Sequence, residues 1–114
     1  MKIKIIATGG TIDKIYFDKK NDYQVGDPQI SEVLKVANVT FDYEVVSLLR
    51  KDSLEMTDED RRLISDTISN DREFRHFVVT HGTDTMVLTA KTLQNIADKV
   101  IVLTGSMQPA RFMI

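Results

Sequence analysis

The 114-residue chain contains no cysteine, and that one absence removes disulfides, thiolate chemistry and cysteine-ligated metal sites. Histidine is nearly as scarce. His76 and His81 stand isolated in the sequence and make a poor metal site. Fifteen basic residues are set against 17 acidic ones, for a formal charge of -2, and no basic stripe or charge block is present to recruit nucleic acid or an anionic membrane. The first residues, Met1 to Ile6, pass straight into a strand pattern without the long apolar stretch or small-residue cleavage site of a secretory leader, so a cytoplasmic location is expected. Repeats, low-complexity tracts and linkers are missing too, and the length suits one domain with a modest core. Neither a G-x-x-x-x-G-K-[ST] phosphate loop nor a G-x-G-x-x-G turn occurs after the first strand.

What is present is organised around Ile3 to Ile12, a β-branched apolar run that stops at Gly9 and Gly10 with Thr11 directly behind. Such a run bounded by glycine predicts a buried strand of a parallel sheet. The two glycines can take positive φ and leave their amides open to a ligand oxygen, and Thr8 and Thr11 then present hydroxyls at the strand's carboxyl end. A Gly-Gly after a strand is also the ordinary signature of a turn.

Strand and helix patterns alternate through the rest of the chain. Ile15 to Phe17 and Tyr23 to Val25 flank a polar stretch and predict a hairpin or lid. A helix is expected from Asp27 as N-cap with Pro28 at its first position, Ile30, Val33, Leu34 and Ala37 on one face, and Asn38 as its stop. Phe41 to Leu49 is the second core strand, and Thr57 with Asp60 predicts a capping arrangement for a helix that buries Ile64, Thr67 and Ile68. Phe77 to Val79 and Val100 to Leu103 are the third and fourth strands, separated by a helix with Met86, Ala90, Leu93 and Ala97 on one face. The alternation predicts right-handed βαβ units: an α/β fold with an open, mainly parallel sheet and helices on both faces, a three-layer Rossmann- or flavodoxin-like arrangement.

The residues that follow the predicted strands are Thr8-Gly9-Gly10-Thr11, Asp52-Ser53, Thr80-His81-Gly82-Thr83-Asp84-Thr85 and Thr104-Gly105-Ser106. Hydroxyls, glycines and carboxylates therefore converge on one rim, as a small polar ligand requires. Each also has a plainer role. Thr83 or Asp84 suits a helix cap, Ser53 a loop residue ahead of Thr57, and His81 a group that satisfies a buried carbonyl rather than a catalytic base. No carboxylate is placed by spacing to orient His81, so a Ser-His-Asp triad is not supported.

Ala7-Thr8-Gly9-Gly10-Thr11-Ile12 and His81-Gly82-Thr83-Asp84-Thr85-Met86 together resemble the two signatures of the bacterial-type L-asparaginase family, the threonine amidohydrolases. Asn21 to Gly26, Asp52-Ser53 and Leu103 to Pro109 resemble the family segments around them. The resemblance covers essentially this whole chain and the leading part of the family's chain. It implies that Thr11 is the nucleophile attacking the side-chain amide of L-asparagine or L-glutamine, with Tyr23 assisting its deprotonation. It further implies that Ser53 holds the substrate α-carboxylate, that Thr83 is the second active-site threonine and that Asp84 binds the α-ammonium. Gly10 and Gly82 line the substrate, and the backbone amides of Thr11 and Thr83 form the oxyanion hole. No metal and no organic cofactor are implied.

One departure from the family pattern shapes the expectation. The lysine that activates the second threonine lies, in the family, well beyond the His-Gly-Thr-Asp-Thr segment, and a smaller second domain follows it. Neither is found within residues 1–114. Lys91 belongs on a helix and Lys99 precedes a strand at its amino end, so neither substitutes. Residues 1–114 are thus expected to be an incomplete asparaginase-like N-terminal domain, weak or inactive by itself. The alternative is a non-enzymatic domain that keeps the fold and a vestigial amino-acid-binding cleft. Exposed apolar surface past the fourth strand predicts self-association as a homodimer or larger.

Overall fold

The computed structural model describes residues 1–17, 22–25 and 27–112, and only the backbone at 15–17, 22–25 and 112. Its elements in order are β1 (Lys2–Gly9), β2 (Lys14–Phe17), β3 (Asp22–Val25), α1 (Ile30–Val36), β4 (Asp42–Lys51), α2 (Asp58–Ser69), β5 (His76–Thr80), α3 (Met86–Leu93) and β6 (Val100–Thr104). Single 3-10 turns stand at Thr11–Asp13, Ser53–Glu55 and Ala110–Phe112.

The sheet order is β4-β1-β5-β6, with every neighbouring pair parallel. β1 is central in the sheet and carries a core on each face, and Ile5 to Gly9 are all buried. That is why its sequence reads as a nearly continuous apolar run instead of an alternating one. From β1 the chain crosses to β4 on one side, then returns over β1 to β5 on the other. This reversal puts the switch point of the sheet between β1 and β5, and it is outside the carboxyl ends at such a point that open α/β sheets take their ligands.

Side chains alternate between two cores. Ile6, Phe77 and Val79 meet Ile64 and Ile68 of α2 and Leu93 of α3 on one face. Ile5 meets Ile30, with Val33 and Leu34 of α1 packed alongside, on the other. Ile64 and Ile68 are fully buried, so truncation of either to Ala costs about 2–5 kcal/mol. The predicted hairpin is also present: β2 and β3 pair antiparallel in a separate two-stranded sheet.

The helix ends separate local from non-local control. Thr57 and Asp60 form a reciprocal capping box at α2, as their spacing predicts, and Lys51 ties Asp60 back to the end of β4 at 2.8 Å. Together with the Thr57 amide, Lys51 holds the Asp60 carboxyl below its usual range against the opposing effect of burial. α1 departs from its prediction. It starts at Ile30 with Gln29 as N-cap, not at Asp27, because the Gln29 amide donates to Asp13 Oδ1 at 3.0 Å. A carboxylate sixteen positions upstream has taken the role expected of a neighbour. The stop at Asn38 holds, with φ 55. α3 ends at Leu93, so Ala97 lies beyond the helix and is exposed, and Thr67 is only half-buried, its hydroxyl donating to the Leu63 carbonyl.

Candidate active site

The rim is assembled by backbone contacts that leave no room for side chains. Gly10 has φ 84 and ψ -178, a region in which essentially only glycine is stable. A β-carbon there would fall 2.5 Å from the Gly82 nitrogen. One on Gly82 would in turn fall 2.7 Å from both Cβ and Oγ of Ser53. The loops after β1, β5 and β4 are therefore stacked as Gly10 on Gly82 on Ser53. Thr11 and Thr83 directly follow the two touching glycines, and Asp84 comes next. Thr11 is half-buried, while Thr83 and Asp84 are exposed.

Ser53 is buried and spends its lone pairs inside the protein. Its Oγ accepts from the amides of Asp84 at 3.1 Å and Thr85 at 3.3 Å, and its carbonyl accepts from the Thr85 hydroxyl at 2.8 Å. Ser53 thus holds the segment that carries Asp84, and the proton of its own hydroxyl remains to be donated. Thr8, read from sequence as a rim hydroxyl, is instead fully buried and donates to the Thr80 carbonyl at 2.8 Å. It ties β1 to β5.

His81 is fully buried and does satisfy a carbonyl, as its neighbour Gly82 suggested. Its Nδ1 lies 2.7 Å from the Gly82 oxygen. Nε2 meets Thr89 Oγ1 at 2.8 Å and Met56 Sδ at 3.1 Å. Burial holds its pKa below the usual histidine range; the Gly82 carbonyl opposes this and the nearby Arg61 cation adds to it.

Three residues escaped the sequence reading. Asp13, fully buried two positions past Thr11, has its pKa pushed up to about 6 by burial, which outweighs the lowering effect of the Gln29 amide. The signal for it was a lone carboxylate between Ile12 and the apolar run from Ile15. Arg61 and Thr89 are buried polar residues linked at 3.1 Å. Arg61 falls three residues before Ile64 and seven before Ile68, so the helical spacing already placed it on the buried face of α2.

Of the residues singled out from sequence, Gly10, Thr11, Ser53, Gly82, Thr83 and Asp84 are brought to one rim. The backbone of Tyr23 lies in β3 opposite Tyr16, and its side chain falls outside what the structure describes. Lys99 is at the opposite end of the sheet, where its ammonium donates to the carbonyls of Asp71 and Phe74. Lys91 lies exposed on α3. Among the described residues no cluster of three metal-ligating side chains occurs, and no helix is long and apolar enough to cross a membrane.

The sequence matches the family described as Asparaginase, N-terminal, over residues 2–113. The chain belongs to the asparaginase family. Solved structures agree. The thermostable L-asparaginase from Thermococcus kodakarensis superposes with a TM-score of 0.77 at 27% identity, covering 96% of this chain and 35% of that one. A probable cytoplasmic L-asparaginase from Campylobacter jejuni gives 0.74 at 32% identity, over 96% and 33%. L-asparaginase I from Vibrio cholerae gives 0.76 at 32% identity, over 96% and 35%. This chain thus spans about a third of the length of these asparaginases. No curated protein matches it.

Proposed function

We propose that residues 1–114 act as the N-terminal α/β domain of an asparaginase-type amidohydrolase and carry the nucleophile side of its site. The observation that supports this most directly is the contact of Gly10 with Gly82, the residues directly before Thr11 and Thr83, at the switch point of the sheet. In this reading Thr11 Oγ attacks the side-chain amide carbon of L-asparagine or L-glutamine. Ammonia leaves, and water then releases the acid from the acyl-threonine. Tyr23 assists removal of the Thr11 proton, Asp84 receives the substrate α-ammonium, and Ser53 donates its remaining hydroxyl proton to the α-carboxylate.

An unassisted threonine hydroxyl is a poor nucleophile, and general-base help is typically worth ~10²–10⁴-fold. Preorganised N–H donors supply a comparable gain at the developing oxyanion. Among the described residues the amides of Thr11 and Thr83 donate to no backbone carbonyl, which suits them to that part. The chain is assigned to the cytoplasm and to a self-associated state, with a small amino-acid amide as its partner.

The test is titration of the purified chain with L-aspartate, the reaction product, together with ammonia release from L-asparagine. Binding that Asp84→Ala abolishes, with slow turnover that Thr11→Ala abolishes, is the expected result. Binding without turnover would favour the non-enzymatic cleft, and neither binding nor turnover would overturn the assignment.

A further inference from the structure

The buried ring of His81 has no part in the reaction just described, yet its surroundings select one tautomer of the neutral ring, with Thr89 Oγ1 and Met56 Sδ both beside Nε2. Nδ1 faces the Gly82 carbonyl oxygen at 2.7 Å. Two lone pairs do not face each other at that distance, so Nδ1 carries the proton. At the other end, Arg61 Nε lies 3.1 Å from Thr89 Oγ1, and a guanidinium only donates. The Thr89 oxygen accepts from Arg61, and a neutral ring with its one proton on Nδ1 leaves Nε2 bare to take the Thr89 proton at 2.8 Å. With the ring neutral, the chain Arg61 to Thr89 to His81 to Gly82 runs in one direction, from a group that cannot accept to a carbonyl that cannot donate. The charged group facing the ring is Arg61, whose far side meets Asp58 at 3.4 Å. Its cation and the burial both disfavour an imidazolium.

The end of this chain matters because a peptide unit is planar and trans. The Gly82 carbonyl and the Thr83 N–H belong to one such unit, so a carbonyl aimed at the buried ring turns the N–H away from it. Thr83 is exposed and its amide donates to no backbone carbonyl among the described residues. Gly82 is also pressed between Gly10 and Ser53, which leaves the plane little freedom to rotate.

We propose that His81 is a positioning residue of the site: locked as the Nδ1–H tautomer by the Arg61–Thr89 chain, it holds the Gly82–Thr83 peptide so that the Thr83 N–H stands at the rim with that of Thr11. The purpose assigned to that N–H, reception of the oxyanion, rests on the amidohydrolase reading; the tautomer and the peptide orientation do not.

Two measurements on the whole chain decide it. Long-range nitrogen–proton correlation of the histidine-labelled protein near neutral pH is expected to show His81 with a protonated Nδ1 and a bare Nε2. A protonated Nε2, alone or in an imidazolium, would overturn the proposal whatever the protein binds. The second measurement uses L-aspartate as probe and the Thr83 amide resonance as readout, in His81→Asn and His81→Gln. Asparagine places an N–H where Nδ1 stands, and glutamine reaches toward Nε2 instead. The Thr83 amide is expected to respond in wild type and His81→Asn, and to respond with at least roughly tenfold weaker affinity in His81→Gln, the scale of one misplaced hydrogen bond. Equal affinity in a folded His81→Gln would overturn the proposal. Where the variants fail to fold, the wild-type tautomer decides alone. Absence of L-aspartate binding to wild type would count against the amidohydrolase reading and leave the tautomer to judge His81.

Discussion

Gly10 lies on Gly82 at a separation in which any β-carbon on Gly10 would stand 2.5 Å from the Gly82 nitrogen and 2.6 Å from its Cα. Both neighbours are backbone, held by β1 and β5, which are themselves paired over five positions. Neither strand can withdraw without breaking that ladder.

Gly10→Ala is therefore expected to destabilise the fold by roughly 3 kcal/mol, from a backbone conformation closed to L side chains and from the contact itself. Denaturant unfolding monitored by circular dichroism measures it. A change within about 0.5 kcal/mol, the range of ordinary surface substitutions, would mean that the two loops part easily.

Asp13 gives a pH dependence with a definite sign. Its carboxyl titrates at 3.8 when unperturbed and at about 6 in the fold, so the folded state holds the proton more tightly than the unfolded state does. The stability that this proton contributes is fully present below pH ~4 and is lost as pH rises through about 6. Asp13→Asn keeps an acceptor for the Gln29 amide and never ionises. It is expected to be more stable than wild type by about 2–3 kcal/mol at neutral pH, with the gap closing below pH ~4. Paired thermal melts across that range check this, and a gap independent of pH would refute it.

The 114-residue chain on its own is expected to release ammonia from L-asparagine at least ~10²-fold more slowly than a full-length asparaginase. Groups that activate a nucleophile act as a unit, so absence of one partner removes most of the benefit of the rest. This chain spans about a third of the length of its solved relatives, and Lys99, bonded to Asp71 and Phe74 at the far end of the sheet, is not a substitute. Robust turnover that disappears in Thr11→Ala would show that a residue within these 114 supplies the missing activation.

Val100 and Val102 point from the edge strand β6 and are 56% and 53% exposed. An apolar stripe left open on one face of a strand favours association with another chain. Sedimentation at micromolar concentration is expected to show a dimer or larger species that Val102→Lys shifts toward monomer. A wild-type monomer under those conditions would count against it.

Much of this protein was legible in order along the chain. The apolar run of β1, the Thr57–Asp60 box and the Ile64–Ile68 spacing each depend on residues within a turn or two of one another, and each came out as read. Gly10, Ser53, Gly82 and Asp84 were legible as rim residues for the same reason, since residues directly after strands collect at one edge of a parallel sheet. What only the tertiary structure decided involves partners far apart in sequence. Gln29 rather than Asp27 begins α1 because Asp13 receives its amide. Ser53 supports the Asp84 segment from 31 positions away. Thr8 is fully buried and bonds to the Thr80 carbonyl, 72 positions away. Arg61, Thr89 and His81 form one directed chain across α2, α3 and the loop after β5. Local spacing sets the period and the face of an element. Which polar group meets which buried acceptor depends on where the elements dock, and that is decided by the packing of the whole sheet.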